Sequence, residues 1–134
     1  MTAKCAMAIA VVGLFLVARP AAAHHSFSEY DASKPVTLRG QVSRIEWTNP
    51  HARISIDVND DKGNVTQWKL ELASPKVLFS QCGWKVNFVH VGDEVTVEGS
   101  RAKDGSAWAN ARIFTLADGR RLSAGSSGGD VPLR

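Results

Sequence analysis

Apolar residues recur at every second position through three stretches of the chain; the alternation then breaks and later resumes twice. Between Ala52 and Asn59, Ile54, Ile56 and Val58 alternate with Arg53, Ser55 and Asp57, the period of a strand that buries one face. Trp68, Leu70 and Leu72 alternate in the same way with Gln67, Lys69 and Glu71. Asp60-Asp61-Lys62-Gly63-Asn64 lies between these runs and predicts a hairpin connection, with glycine where a positive φ is needed. Upstream, Val36 to Arg39 and Gln41 to Trp47 make one long strand broken by Gly40, and a glycine inside a strand marks a bulge or a bend.

The period changes at Ser74. A serine that can cap, Pro75 suited to the first helical turn and Gly83 suited to the end predict a short helix over Lys76 to Cys82. Trp84 to Val91 then reads as a connecting segment. Gly92-Asp93 turns into the alternating run Glu94 to Gly99, and Lys103 to Ser106 turns into a strand from Ala107 to Leu116. Asp118-Gly119-Arg120 makes one more turn. Three strands, a helix and two strands, with the first strand bent, is the order of an all-β, five-stranded OB-like barrel with one short helix between strands 3 and 4.

The ends of the chain read differently. Lys4, the apolar run Cys5 to Ala18 and the small residues Ala21-Ala22-Ala23 have the order of a secretory signal peptide, so 1–23 is expected to be removed and the mature chain to begin at His24. The expected organisation is a signal at 1–23, an OB-like domain with an extended lead-in at 24–122, and a Gly/Ser-rich disordered tail at 123–134. Phe27 and Tyr30 are the apolar anchors available to the lead-in. The expected location is the periplasm or the exterior, with no membrane span after cleavage.

Charge then narrows the partners. Removing Lys4 and Arg19 takes two of the 16 basic residues, leaving 14 against 13 acidic residues and a net charge of +1. A nearly neutral domain has no electrostatic reason to seek nucleic acid. The residues expected on the outer side of strands two and three are Arg53, Ser55, Asp57, Gln67, Lys69 and Glu71. They offer no aromatic platform, and their charges cancel. This face is therefore expected to be solvated and laced with cross-strand ion pairs. One of the two cysteines leaves with the signal, so Cys82 has no internal disulfide partner and is expected to pack as a small apolar residue. No nucleophile sits in a recognisable elbow and no glycine-rich phosphate loop follows a strand, so the sequence does not predict an enzyme.

Histidine supplies the sharper chemistry. A mature amino-terminal His24 presents an α-amine and an imidazole on one residue, His25 adds a second ring, and His51 in the Glu46 to His51 corner adds a third. Such nitrogen-rich sets favour Cu(II), and Zn(II) less strongly. The α-amine titrates near pH 8, so it is readily deprotonated for binding. The lead-in of twelve residues spans about 40 Å when extended, which permits contact with His51 without implying it. The plain alternative is a wet terminus and a turn histidine. His90 is expected to be a partly buried structural residue. Trp47 and Trp108, with Asn49 on the corner, form a candidate pocket or partner loop, and the fallback reading is a metal-free protein-interaction domain of the cell envelope using that corner and the Lys103-Asp104-Gly105 loop.

The segments Ala23-His24-His25-Ser26-Phe27, Glu46-Trp47-Thr48-Asn49-Pro50-His51-Ala52, Gly83-Trp84, Gly92-Asp93 and Asp118-Gly119-Arg120 together resemble an uncharacterised family of small exported bacterial proteins, a domain of unknown function. The resemblance implies a bacterial envelope or periplasm. It implies no activity, cofactor or site residue.

Overall fold

A computed structural model describes residues 29–125. The segment expected to be a signal, the histidine pair and the final residues of the chain lie outside that range. Strand β1 spans Tyr30–Glu46, β2 Arg53–Asn59, β3 Val65–Glu71, helix α1 Pro75–Ser80, β4 Glu94–Ala102, β5 Trp108–Thr115 and β6 Arg121–Ser123. The strands run in the order β3-β2-β1-β4-β5-β6, antiparallel throughout, and a parallel pairing of β3 with β5 closes the ring. This is the expected OB-like connectivity. The ring is not a regular barrel, and a sixth strand follows the five expected.

One long strand serves two partners because it coils. Tyr30 to Gln41 pairs with β4, and Gln41 to Glu46 pairs with β2. Gly40 sits at the hand-over, where a Cβ would lie 2.5 Å from the carbonyl oxygen of Asp57. The missing side chain is what lets β2 cross there. Ser43 bulges out of the ladder, and Val42, which pairs with Ile56, also exchanges backbone hydrogen bonds with the Gly92-Asp93 turn. A second close approach closes the other side of the ring, where a Cβ on Gly99 would meet the carbonyl oxygen of Asn110 at 2.2 Å.

Inside, Ile54, Ile56, Leu70, Leu72, Val95, Val97 and Phe114 are fully buried, the inward half of each alternating run. Helix α1 begins as its sequence dictates: the Ser74 hydroxyl accepts from the amide of Val77, and Pro75 occupies the first turn. It ends at Ser80, earlier than the expected Cys82. Leu78 is its fully buried anchor. Gly83 has a φ of +73°, the left-handed conformation that turns the chain away after the helix.

Two further boundaries differ from expectation. Strand β1 starts at Tyr30 rather than Val36, because a bulge between Asp31 and Pro35 absorbs the turn-prone Ala32-Ser33-Lys34 without ending the pairing. Asp31 satisfies that bulge by accepting from the amide and hydroxyl of Ser33. At the other end, β6 pairs with β5 and Ala124 is fully buried, so the folded part runs past the boundary expected at 122. Among the described residues, no helix is long and apolar enough to cross a membrane.

Candidate functional site

The corner that carries His51 is the β1–β2 loop. Its far end is pinned at Ala52, which is fully buried and exchanges backbone hydrogen bonds with Leu72 and Ala73. Within it, the Thr48 hydroxyl donates to the carbonyl of His51 at 3.1 Å, and the Asn49–Pro50 peptide is cis. Asn49 is exposed and His51 half-buried.

Trp47 turns away from the loop. Its ring lies 5.1 Å from Phe79 of α1 and 6.1 Å from Trp84, which meets Phe114 edge-on at 5.4 Å. These offset and edge-to-face contacts form an aromatic row that closes the helix end of the ring. Trp108 is elsewhere: it starts β5, pairs with Lys69, and has that lysine's Nζ 5.2 Å from its ring centre. The expected grouping of Trp47 with Trp108 is thus not seen among the ring contacts of the described residues.

The outer face of β2 and β3 departs from its expectation. Ser55 and Glu71 are buried rather than solvated, as is Asn110 of β5, which the β3–β5 pairing aligns with Glu71. Glu71 is only 4 % exposed. Tyr30 covers Glu71: its phenol donates to Oε2 of Glu71 at 3.3 Å. The Asn110 amide donates to the Glu71 carbonyl at 3.4 Å. Burial, then the neighbouring Glu71 carboxylate, pushes the Tyr30 phenol above its ordinary pKa, so it remains a donor at any physiological pH. The β3–β5 pairing brings Trp108 beside Lys69, an aromatic that the outward residues of β2 and β3 alone do not supply. Sequence periodicity could not reveal this layer, because its cover comes from a tyrosine 41 positions away along the chain.

The β4–β5 loop borders the same region. The amide of Lys103 donates to the carbonyl of Glu29 at 2.8 Å, and Arg101 donates to the carbonyl of Gly105 while its guanidinium lies 5.2 Å from the Trp68 ring. The start of β1 is therefore held between the β4–β5 loop and β3. His51 lies two positions before Arg53, which faces Glu71 across the β2–β3 ladder.

Among the described residues, no three His, Cys, Asp or Glu side chains group to hold a metal. His24 and His25 lie outside those residues. His90 is exposed rather than partly buried, at 67 % for its side chain. Its amide donates to Asp93, and its Nδ1 is 3.6 Å from the same carboxylate. This makes it a turn residue. A separate open cleft of about 520 Å³ lies over Gly40, lined by Arg39, Gln41, Asp57, Asn59, Val65 and Glu94. It includes none of the candidate histidines or tryptophans. Its advance signal in the sequence is the strand glycine. Arg39 and Glu94 already pair with each other across it.

No curated protein matches the sequence. Among solved structures, the crystal structure of the mitochondrial single-stranded DNA binding protein Rim1 from S. cerevisiae is similar at 15 % identity, over 63 % of this chain and 93 % of that one, with a TM-score of 0.49. A family model matches residues 11–111, from the apolar amino-terminal run through the first half of β5. With most of its length matched, the chain belongs to DUF6152, a family of unknown function.

Proposed function

We propose that this protein is an exported, non-enzymatic binding or accessory module of the bacterial periplasm, and that its mature chain begins at His24. In this reading His24, His25 and His51 hold Cu(II), and Zn(II) less strongly. The supporting observation is the place where strand β1 begins. Tyr30 is bonded to Glu71 of β3, whose ladder partner Arg53 follows His51 by two positions. Six residue steps separate His24 from Tyr30, and at roughly 3.3 Å each they reach about 20 Å. This is half the tether expected had β1 begun at Val36, so fewer conformations compete with contact between terminus and corner.

The non-enzymatic part draws support from Cys82. Burial raises its thiol pKa, the opposite of what an activated nucleophile requires. A metal-free interaction module is the second reading. It is favoured by Phe79, which stacks on Trp47 yet stays 39 % exposed, leaving apolar surface beside the corner.

The test has two parts. Mass measurement of the secreted chain is expected to give a first residue of His24. Cu(II) titration of that chain is expected to show binding that is lost when one residue is added before His24. Binding indifferent to the extension removes the terminal chelate, and no binding at micromolar metal leaves the interaction module as the better reading.

A further inference from the structure

Among the described residues the large apolar side chains left exposed are Val65, Phe79, Val86 and Val91. Val65 follows the acidic hairpin that carries Asp60 and Asp61. The other three fall between Leu72 and Gly92, the longest run without an Asp or Glu between residues 29 and 125. Within that run, the connection from α1 to β4 is pinned to the core by Trp84 and Val89, each 2 % exposed. Two tight turns project from these anchors. The amide of Phe88 donates to the carbonyl of Lys85 at 3.0 Å, and the amide of Asp93 to the carbonyl of His90 at 3.1 Å. Their central pairs are Val86-Asn87 and Val91-Gly92. Asparagine and glycine are ordinary turn residues, whereas a branched apolar side chain at a turn tip serves no local geometry. Yet Val86 is 64 % exposed and Val91 66 %. Five residue steps separate them, so the two tips lie no more than about 17 Å apart.

Cations gather on the same segment. The Nζ of Lys85 lies 5.8 Å from the Phe88 ring centre, and the Arg120 guanidinium lies 4.3 Å from it. The carboxylates that border the segment are already engaged, Asp93 with His90 and Asp118 with Arg120. Lys76 and Lys85 are exposed, and among the described residues neither has a carboxylate within ion-pair distance. The domain's near-neutral total therefore hides a local surface that is apolar at its tips and positive beside them.

We propose that the turns at residues 85–88 and 90–93 form a docking surface for a lipid bilayer with anionic headgroups. Val86 and Val91 enter the boundary between headgroups and acyl chains, and Lys85 and Lys76 meet the phosphates. A protein partner fits less well. Protein interfaces draw their affinity from aromatic or arginine anchors in a desolvated centre, whereas the apolar groups here are short, aliphatic and carried on projecting turns. The surface shares no residue with the histidine set above and does not depend on it.

The experiment measures binding of the full chain to two sets of vesicles, phosphatidylcholine alone and phosphatidylcholine with about one-third phosphatidylglycerol. The wild type is expected to sediment with the anionic vesicles and to be released as salt is raised. Val86→Ser and Val91→Ser are each expected to lower that binding about tenfold, and Lys85→Gln about fivefold. Val65→Ser alters an equally exposed valine outside the surface and is expected to change nothing. Val86→Trp is expected to bind more tightly, with its added emission quenched by brominated acyl chains. That quenching reports the first turn alone, whatever the apolar amino-terminal run contributes to sedimentation. Each substitution is at an exposed position, and circular dichroism checks that the fold is kept. Vesicle binding that is absent, or equal in the wild type and both serine variants with Val86→Trp unquenched, overturns the proposal. Binding of soluble polyglutamate as tight as that of the vesicles, and indifferent to the valines, overturns the lipid reading and assigns the lysines to an acidic protein instead.

Discussion

The indole Nε1 of Trp84 donates to the carbonyl oxygen of Ser123 at 2.7 Å, with both residues buried. The bond ties the segment after α1 to β6. The carbonyl of Ala124 accepts from the amide of Ala73 beside it, and a Cβ on Gly125 would touch Ala73, Val77 and Cys82. The chain therefore closes the helix end of the ring with residues 121–125. Trp84→Phe keeps the aromatic row but removes the donor. The expected cost is about 1–3 kcal/mol, the desolvation penalty of a carbonyl left without that partner. Thermal denaturation checks it, with an expected fall of about 4–8 °C per kcal/mol for a domain of this size. Truncation after Arg120 removes β6 and Ala124 as well and is expected to lower the midpoint further. An unchanged midpoint on truncation would show that β6 adds nothing to the fold.

Two glycines are predicted to fail for different reasons. Gly99 has ordinary backbone angles, but a Cβ there would lie 2.2 Å from the Asn110 carbonyl, so β4 and β5 must separate. Gly63 has open space where a Cβ would sit, with nothing within 4 Å, and its φ of +82° is the obstacle. Gly99→Ala is expected to cost about 3 kcal/mol or more, in the range of steric disruption of a packed interior. Gly63→Ala is expected to cost about 1 kcal/mol, the left-handed penalty alone. Urea denaturation of both variants tests the ranking. Equal costs would mean that the ring adjusts at Gly99 without strain.

Those contrasts show what the chain discloses before it is folded. The strands at Ile54 to Val58 and Trp68 to Leu72 were legible because each buries one face, which imposes a period of two. The helix start was legible because Ser74 and Pro75 act locally. Three features were not. Strand β6 is three residues long and depends on β5 and Trp84 for its stability. The first six residues of β1 carry turn-forming side chains, which the bulge accommodates. Burial of Glu71 on an outward face goes with its bond to Tyr30, a contact distant in sequence. The candidate site was half legible. His51 is on the expected corner, while Trp47 is drawn into the core by Phe79 and Trp84, and Trp108 is held at the β3–β5 seam.

Cys82 is predicted to be slow toward thiol reagents. It is half-buried after α1, and burial raises its pKa. The thiolate, the reacting form, is therefore scarcer than in a free thiol at the same pH. Alkylation at mildly alkaline pH is expected to be several-fold slower than for an unstructured cysteine peptide, and to match that peptide in denaturant. Labelling as fast as the peptide's in the native protein would mean that the helix end opens readily, and would return Cys82 to the candidate nucleophiles.

The single tyrosine of the chain makes the last prediction unusually clean, since phenolate absorbance reports Tyr30 alone. Burial and Glu71 hold the folded-state pKa above the ordinary phenol value of about 10. A group whose pKa is raised on folding contributes stability that is fully present below its unfolded pKa and is lost as pH rises beyond it. The contribution of Tyr30 is thus constant through neutrality and begins to decline near pH 10. At neutral pH, Tyr30→Phe is expected to cost about 1 kcal/mol for the lost bond to Glu71. Above pH 10 the gap between wild type and variant is expected to close and then reverse, because only the wild type must keep a phenol protonated against the solvent. Absorbance titration checks the cause: phenolate should appear in the native protein later than in the denatured chain, and together with unfolding. A phenolate that appears at the ordinary pH while the fold persists would place Tyr30 in water and remove its bond to Glu71.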